Sequence, residues 1–292
     1  MMQHRFLLGR FRFGACAAIL LAGTGLFAFQ GQFQFPGTKF SKGQDVSPTY
    51  EGWQSNADGT FTLYFGYYNR NAEEELDVPV GPNNNFDNVS TGDQGQPTHF
   101  YTGRRWFVFK VVVPKDWPVD KRVVWTLTTN GRTDQAKGWL QPEWEVDNPL
   151  ITKNAVTDRT IGIWETEEIE GNQPPTVTGS GPQTVTLPGP ATLSVNVTDD
   201  GIPKPKPGGR GRGGRPQGTQ VRWIFYRGPA KPQFAPEVTN SPYGSPAKSE
   251  TKVSFLVPGH YRIRALACDG ALFTTYDYDV TVNPGSSAAN GR

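Results

Sequence analysis

Oxygen-bearing side chains are the chemistry this sequence offers most readily. Asp199 and Asp200 run into Gly201, and Asp269 into Gly270, so each carboxylate sits in a sharp turn. Calcium takes six to eight oxygen ligands, and such loops supply them. The plainer reading is that Asp-Gly turns close hairpins and hold nothing. Asp199, Asp200 and Asp269 are the candidate calcium ligands, and no other cofactor is expected. Glu73, Glu74, Glu75 and Asp77 form an acidic run, and Glu143 and Glu145 flank Trp144. A glycosidase needs two carboxylates facing one sugar. An acidic run on a strand flank is more often a solvated edge that discourages aggregation. Beyond residue 28 the histidines are His99 and His260, with no His/Cys pair at zinc spacing. His99 reads as a turn or strand-end residue and His260 as a surface residue at a strand start. There is no Gly-x-Ser-x-Gly elbow. Cys268 has no adjacent cation to activate it and reads as a quiet thiol. The expectation is a protein that is not an enzyme.

Binding by surface contact has more material. Trp117 lies between Asp116 and Pro118, and Trp144 between two glutamates, so these are the aromatic rings best placed to be exposed. With Tyr67, Tyr68 and Trp139 they could form a platform for sugars, whereas Trp125 and Trp223 belong to cores. Residues 203–216 read PKPKPGGRGRGGRP, with Arg210, Arg212 and Arg215 among five bases and no apolar anchor. That is a solvated loop by composition. It resembles Arg-Gly segments that bind RNA by charge and stacking, but it has no aromatic residue. Anionic polysaccharide, lipid head groups, an envelope protein or the acidic first half of the chain are the expected partners, and nucleic acid is not.

These residues must be held by strands. Phe61, Leu63, Phe65 and Tyr67 share one face of an extended segment, and Thr62, Tyr64, Gly66 and Tyr68 the other. Further strands are read at 50–54, 75–80, 106–113, 122–129 and 133–140. The 106–113 run, WFVFKVVV, is apolar on both faces except at Lys110 and reads as a central strand. Asn130-Gly131 is a hairpin turn. In the second half, inward faces are read as Leu193, Val195 and Val197; Val221, Trp223 and Phe225; Val253, Phe255 and Val257; Tyr261, Ile263 and Ala265; and Tyr276, Tyr278, Val280 and Val282. No convincing helix is seen. The fold class is all-β: two immunoglobulin-like β-sandwich domains in tandem.

The order along the chain follows. Arg5, Arg10 and Arg12 precede the uncharged, mostly apolar run 13–29, the pattern of a signal peptide ending near residue 28. Export to the periplasm or the extracellular space is expected, with membrane contact only through this segment if it stays uncleaved. Without residues 1–28 the formal charge moves from +2 to −1 and one cysteine is left. The rest divides into a flexible leader (29–44), a first sandwich (45–165), a linker (166–175) stiffened by Pro174-Pro175, a second sandwich (176–284) and a tail (285–292). Residues 42–171 carry 20 acids and 12 bases, and residues 172–292 carry 7 acids and 13 bases.

Residues 172–284 resemble bacterial immunoglobulin-like modules of the PKD and cadherin-like kind. The resemblance is carried by NQPP at 172–175, DDGIP at 199–203, RWIFYRGP at 222–229, VPGHYRIRALACDG at 257–270 and YDVTV at 278–282. It implies a sandwich fold and places the Asp199-Asp200 and Asp269 turns near an interdomain Asn-x-Pro-Pro, as in cadherin-like calcium sites. Two departures stand out. Phe225-Tyr226-Arg227-Gly228 stands where PKD modules have an Asp-Phe-Gly-Asp-Gly-like run, and Ile263 stands where antibody-type domains have a cysteine. Residues 45–165 resemble secreted proteins of environmental bacteria through NRNAEEELDVPVGPNNN and GQPTHF, which implies no activity. The expected work is structural or adhesive, at the bacterial envelope or in an extracellular matrix. Carbohydrate binding is the alternative, and glycoside chemistry a distant one.

Replacing residues 203–216 by a short Gly/Ser turn should leave the melting curve in place, because halving a loop changes closure entropy by under about 1 kcal/mol. Retention on heparin should fall. The parent's retention should weaken steeply with salt, since exposed charges are screened over ~8 Å at physiological ionic strength. A large loss of stability would mean that the loop is packed.

Overall fold

Strand pairing in the first half begins with β1 (Val46–Ser55) and β2 (Phe61–Asn69), followed by β3 (Leu76–Asp77), β4 (Asn84–Asp87), β5 (His99–Phe100), β6 (Gly103–Val113), β7 (Val123–Thr129) and β8 (Arg132–Gly138). The computed structural model describes residues 39–155, 163, 169–204, 218–241 and 246–285. The expected signal peptide, most of the leader, residues 166–168 of the linker, the insertion from residue 205 and the tail from residue 286 lie outside the described residues. Two antiparallel sheets, β1-β2-β6 and β4-β7-β8, face each other, and β3 and β5 form a short pair beside them. Period-two alternation in β2 sends Leu63, Phe65 and Tyr67 inward, where all three are buried. Trp125 of β7 is the centre of this core. Its ring lies parallel to Phe86 (centroids 6.0 Å apart) and edge-on to Phe109 (4.9 Å). Its indole N–H donates to Asn84 Oδ1 at 2.9 Å, so the one polar atom of the ring is satisfied.

Three expectations need correction here. The strand read at 75–80 is only Leu76–Asp77. The leader read as flexible is tied down over 39–44: Phe40 bridges Asn71, and the Gln44 N–H donates to Asn71 Oδ1 at 2.7 Å. A helix is present, α1 (Asn148–Ala155), preceded by a 3-10 turn at Pro142–Trp144. Asp147 caps α1, its Oδ1 accepting the Leu150 N–H at 2.9 Å, and Pro149 occupies the first turn.

The second half holds β9 (Thr176–Gly179), β10 (Gln183–Thr186), β11 (Ala191–Thr198), β12 (Gln220–Arg227), β13 (Gln233–Ala235), β14 (Val238–Asn240), β15 (Ala247–Ser254), β16 (Gly259–Cys268) and β17 (Phe273–Asn283). They form a five-stranded sheet, β10-β17-β16-β12-β14, and a four-stranded sheet, β13-β15-β11-β9. β10 runs parallel to β17 while its neighbour in sequence, β9, pairs with β11 in the opposite sheet. The first strand is thus shared between the layers of an immunoglobulin-like sandwich. The inward faces read from alternation are buried, with two exceptions. Tyr276 is half-buried. Val257 lies in the turn after β15 and is exposed, its carbonyl accepting the Tyr261 hydroxyl at 2.7 Å.

The two sandwiches are joined along a broad seam, and from Lys39 onward the chain forms one compact unit. β6 is not a central strand. It is the edge of its sheet, and its second face meets the other sandwich around Trp106 and Phe107, while Lys110 and Val112 farther along are exposed. A bulge makes the turn of face. Phe65 pairs with Phe109 but Tyr67 pairs with Arg105, so β6 carries two extra residues there. Phe107, at φ 50°, occupies the left-handed region that bulky residues avoid. Its ring packs edge-on to Tyr64 and joins Val146, Ile151, Leu266 and Cys268 in a separate apolar cluster. Such bulges re-aim side chains. From the other side, Tyr226 of β12 is buried in the core of the first sandwich and donates its hydroxyl to the Gly95 carbonyl.

Trp223 is 1% exposed in the second core. Trp223→Ala should lower stability by ~3–5 kcal/mol, read by denaturant unfolding. An unchanged midpoint would mean that the ring is not a core element.

Candidate functional site

The calcium candidates do not all converge. Asp200 spends both oxygens on backbone amides: Oδ2 accepts the Gln173 N–H and Oδ1 the Ile202 N–H, each at 2.9 Å. It ties the incoming chain to the 199–201 turn. Asp199 and Asp269 are different. Asp199 Oδ2 accepts the Gly201 N–H at 3.0 Å, while Oδ1 is buried with no partner. Asp269 Oδ1 accepts two amides, Ala271 at 2.6 Å and Leu272 at 2.7 Å, while Oδ2 is buried with no partner. The residue as a whole is only 2% exposed. A third buried oxygen without a partner, Asn172 Oδ1, belongs to the linker.

The three groups act on one another. Burial pushes the Asp269 carboxyl up to about 7, and the negative charge of Asp199 adds to the effect. The Asn172 amide favours the charged form, but no hydrogen bond closes between it and Asp269. Burial, reinforced by Asp200, raises Asp199 as well. Buried unpaired oxygens cost free energy, and two like charges in one site compound the cost. A hard cation among Asn172 Oδ1, Asp199 Oδ1 and Asp269 Oδ2 would remove both penalties. The donors fit calcium in kind, all oxygen, with the remaining positions left to carbonyls and water. No group of three or more His, Cys, Asp and Glu side chains at metal-holding spacing occurs among the described residues, so the carboxylates alone do not make up a metal site.

The site touches the seam. The Ala271 carbonyl, next to the amides that hold Asp269, accepts the Thr152 hydroxyl of α1 at 2.9 Å. A cavity of about 850 Å³ opens beside it, lined by Asn148, Thr152, Glu170, Asn172 and Ala271 among others.

The other candidates lie apart from this cluster. Trp117 is half-buried, donates its indole N–H to the Lys121 carbonyl at 3.0 Å, and has the Lys121 ammonium 3.9 Å from its ring centroid. Trp144 is 43% exposed and stacks on Tyr50 (5.4 Å), which stacks in turn on Trp139 (6.3 Å). The guanidinium of Arg122 is 4.9 Å from the Trp139 ring centroid. Tyr67 is core. Arg210, Arg212 and Arg215 lie outside the described residues. Cys268 is buried, and its Sγ accepts the Gly270 N–H at 3.2 Å. His260 is exposed at the start of β16, as expected. His99 stands at the end of a strand, β5, one of the two positions read for it, but it is buried. It is 3% exposed, with Nδ1 at 2.8 Å from Asp77 Oδ1 and Nε2 at 3.1 Å from Glu75 Oε2. Its nearest carboxylates are the acidic run read as a solvated edge, so that run is half structural.

No protein-family model and no curated protein matches the chain. Several solved structures are similar to it. One is the solution structure of the PKD domain from human KIAA0319, with 17% identity over 44% of this chain and all of that one, at a TM-score of 0.24. Another is the crystal structure of titin domains z1z2 in complex with telethonin, with 13% identity over 82% of this chain and 98% of that one, TM-score 0.24. A third is Drosophila OTK, extracellular domains 3–5, with 8% identity over 81% of this chain and 60% of that one, TM-score 0.24.

Asp269→Asn replaces a buried, unpaired charge by a neutral group of the same shape. At neutral pH with a chelator present it should stabilise the protein by ~1–3 kcal/mol. Denaturant unfolding checks this, and a destabilised variant would mean that the charge is already compensated.

Proposed function

We propose that the chain is an exported, non-catalytic structural protein in which two fused sandwiches act as one stiff unit and a calcium ion sets the junction. The observation that carries this is the seam. Cross-seam hydrogen bonds, a shared apolar cluster and ion pairs lock the halves, which suits a spacer or adhesive scaffold more than a hinged binding cleft. Asn172, Asp199 and Asp269 would hold the ion, and its work would be electrostatic, neutralising two buried carboxylates where the linker enters the second sandwich. Work at the bacterial envelope or in an extracellular matrix, with acidic polysaccharide or an envelope protein as partner, belongs to the same reading. It rests on the amino-terminal pattern and the basic insertion.

The test is thermal unfolding in calcium and in chelator. A ligand at a hundred times its Kd stabilises by about 2.7 kcal/mol, and Asp269→Asn should abolish that gain. An unmoved midpoint at millimolar calcium would reject the ion. The second reading is carbohydrate binding, favoured by the exposed ring of Trp144 at the end of its aromatic stack. A glycan screen in which Trp144→Ala removes a specific signal would replace the scaffold reading with that one.

A further inference from the structure

His99 is the one histidine of the described residues with a carboxylate on each ring nitrogen. It stands at the seam. Its ring packs against Phe225 of the second sandwich (4.9 Å) and edge-on to Tyr101 (4.6 Å), whose hydroxyl accepts the Phe225 N–H at 3.0 Å. Glu75, its Nε2 partner, also binds Lys231 of the second sandwich at 2.6 Å, and that ammonium lies 4.7 Å from the Tyr101 ring centroid. The remaining charged groups around it are Asp77 on Nδ1, Arg105 beside Tyr101, and Glu237, which acts on Tyr101 from the second sandwich.

We propose that His99 is a proton-dependent latch between the sandwiches, closed when the ring is charged and loosened when it is neutral. Only imidazolium donates from both nitrogens at once. When the ring loses its proton, one nitrogen turns a lone pair toward a carboxylate, and that hydrogen bond becomes a repulsion. Glu75 is also bound by Lys231, so a change on His99 reaches the second sandwich directly. Burial opposes the charge, but the hydrogen bonds the ring donates to Asp77 and Glu75 outweigh it, and the ring titrates above the ordinary imidazole value of 6.5. The bond to His99, with that to Lys231, in turn holds Glu75 down to about 2 against the effect of burial. For a group raised on folding, the stabilisation is present in full below the unfolded value and is lost as pH rises through the folded one. The seam should thus be tightest in mildly acidic medium.

The experiment is NMR on the protein across pH 5 to 9. His99 ring titration is followed together with amide exchange at Thr98 and Phe225, corrected for intrinsic rates. Both amides donate across the seam, Thr98 to the Tyr226 carbonyl and Phe225 to Tyr101. Protection at the two should fall several-fold over the range in which His99 titrates. In Lys231→Met, whose side chain is 43% exposed, protection should be lower in acid and nearly flat with pH. In His99→Gln it should be flat throughout, and if that variant fails to fold, the first two measurements decide. A His99 that titrates at or below the ordinary value, or seam amides indifferent to its charge, would overturn the latch.

Discussion

A buried arginine sets the terms of this structure. Arg264 of β16 is 9% exposed, and its guanidinium makes a bidentate pair with Asp277 of β17 at 2.7 and 2.9 Å. One face lies 3.8 Å from the Tyr226 ring centroid, and Nη1 donates to the Val108 carbonyl of the first sandwich. A charge so placed is tolerable only if every donor finds a partner. Asp277 and Tyr226 come from its own sheet, but the last acceptor is on the edge of another domain. If the halves parted, Val108 would be lost and Tyr226 would leave the core that covers it. The seam is therefore part of the second sandwich's own satisfaction.

This explains a departure visible in the sequence. Phe225-Tyr226-Arg227-Gly228 replaces the acidic, glycine-rich run of PKD-like modules, and all four positions meet the first sandwich. Phe225 donates its N–H to Tyr101, Tyr226 enters the other core, Arg227 forks onto Asp93 at 2.8 and 3.0 Å, and the Gly228 N–H donates to Thr98. The uneven charge has the same origin in part. The cross-seam ion pairs Arg227–Asp93 and Lys231–Glu75 both put the acid on the first half and the base on the second.

What was legible in the sequence follows from range. Alternation is local, so β2, β11, β12 and β16 could be read with their inward faces. The apolar run of β6 was seen but misjudged, because a strand buried by a neighbouring sheet and one buried by a neighbouring domain look alike. The helix α1 was not read at all, because its eight residues have little amphipathic signal. Asp199 and Asp269 were singled out from their turns, and the structure adds that one oxygen of each is buried without a partner. Asn172 was visible as part of Asn-x-Pro-Pro, but only folding shows that its oxygen is buried without a partner. His99 was missed for a similar reason: its carboxylates lie 22 and 24 residues away.

The face that Phe107 presents has a consequence for how the protein is made. Part of its cover, Leu266 and Cys268 of β16, comes late in the chain, and Tyr226 of β12 likewise lies 131 residues beyond its acceptor Gly95. At ordinary translation speeds that interval is on the order of ten seconds. For that time the apolar edge strand of the nascent first sandwich is covered only from the side of Val146 and Ile151, and the part left open is the kind of surface that recruits other chains. A holdase at the ribosome would find its client there, and a chain truncated before β12 would be a sticky fragment and not a smaller working protein.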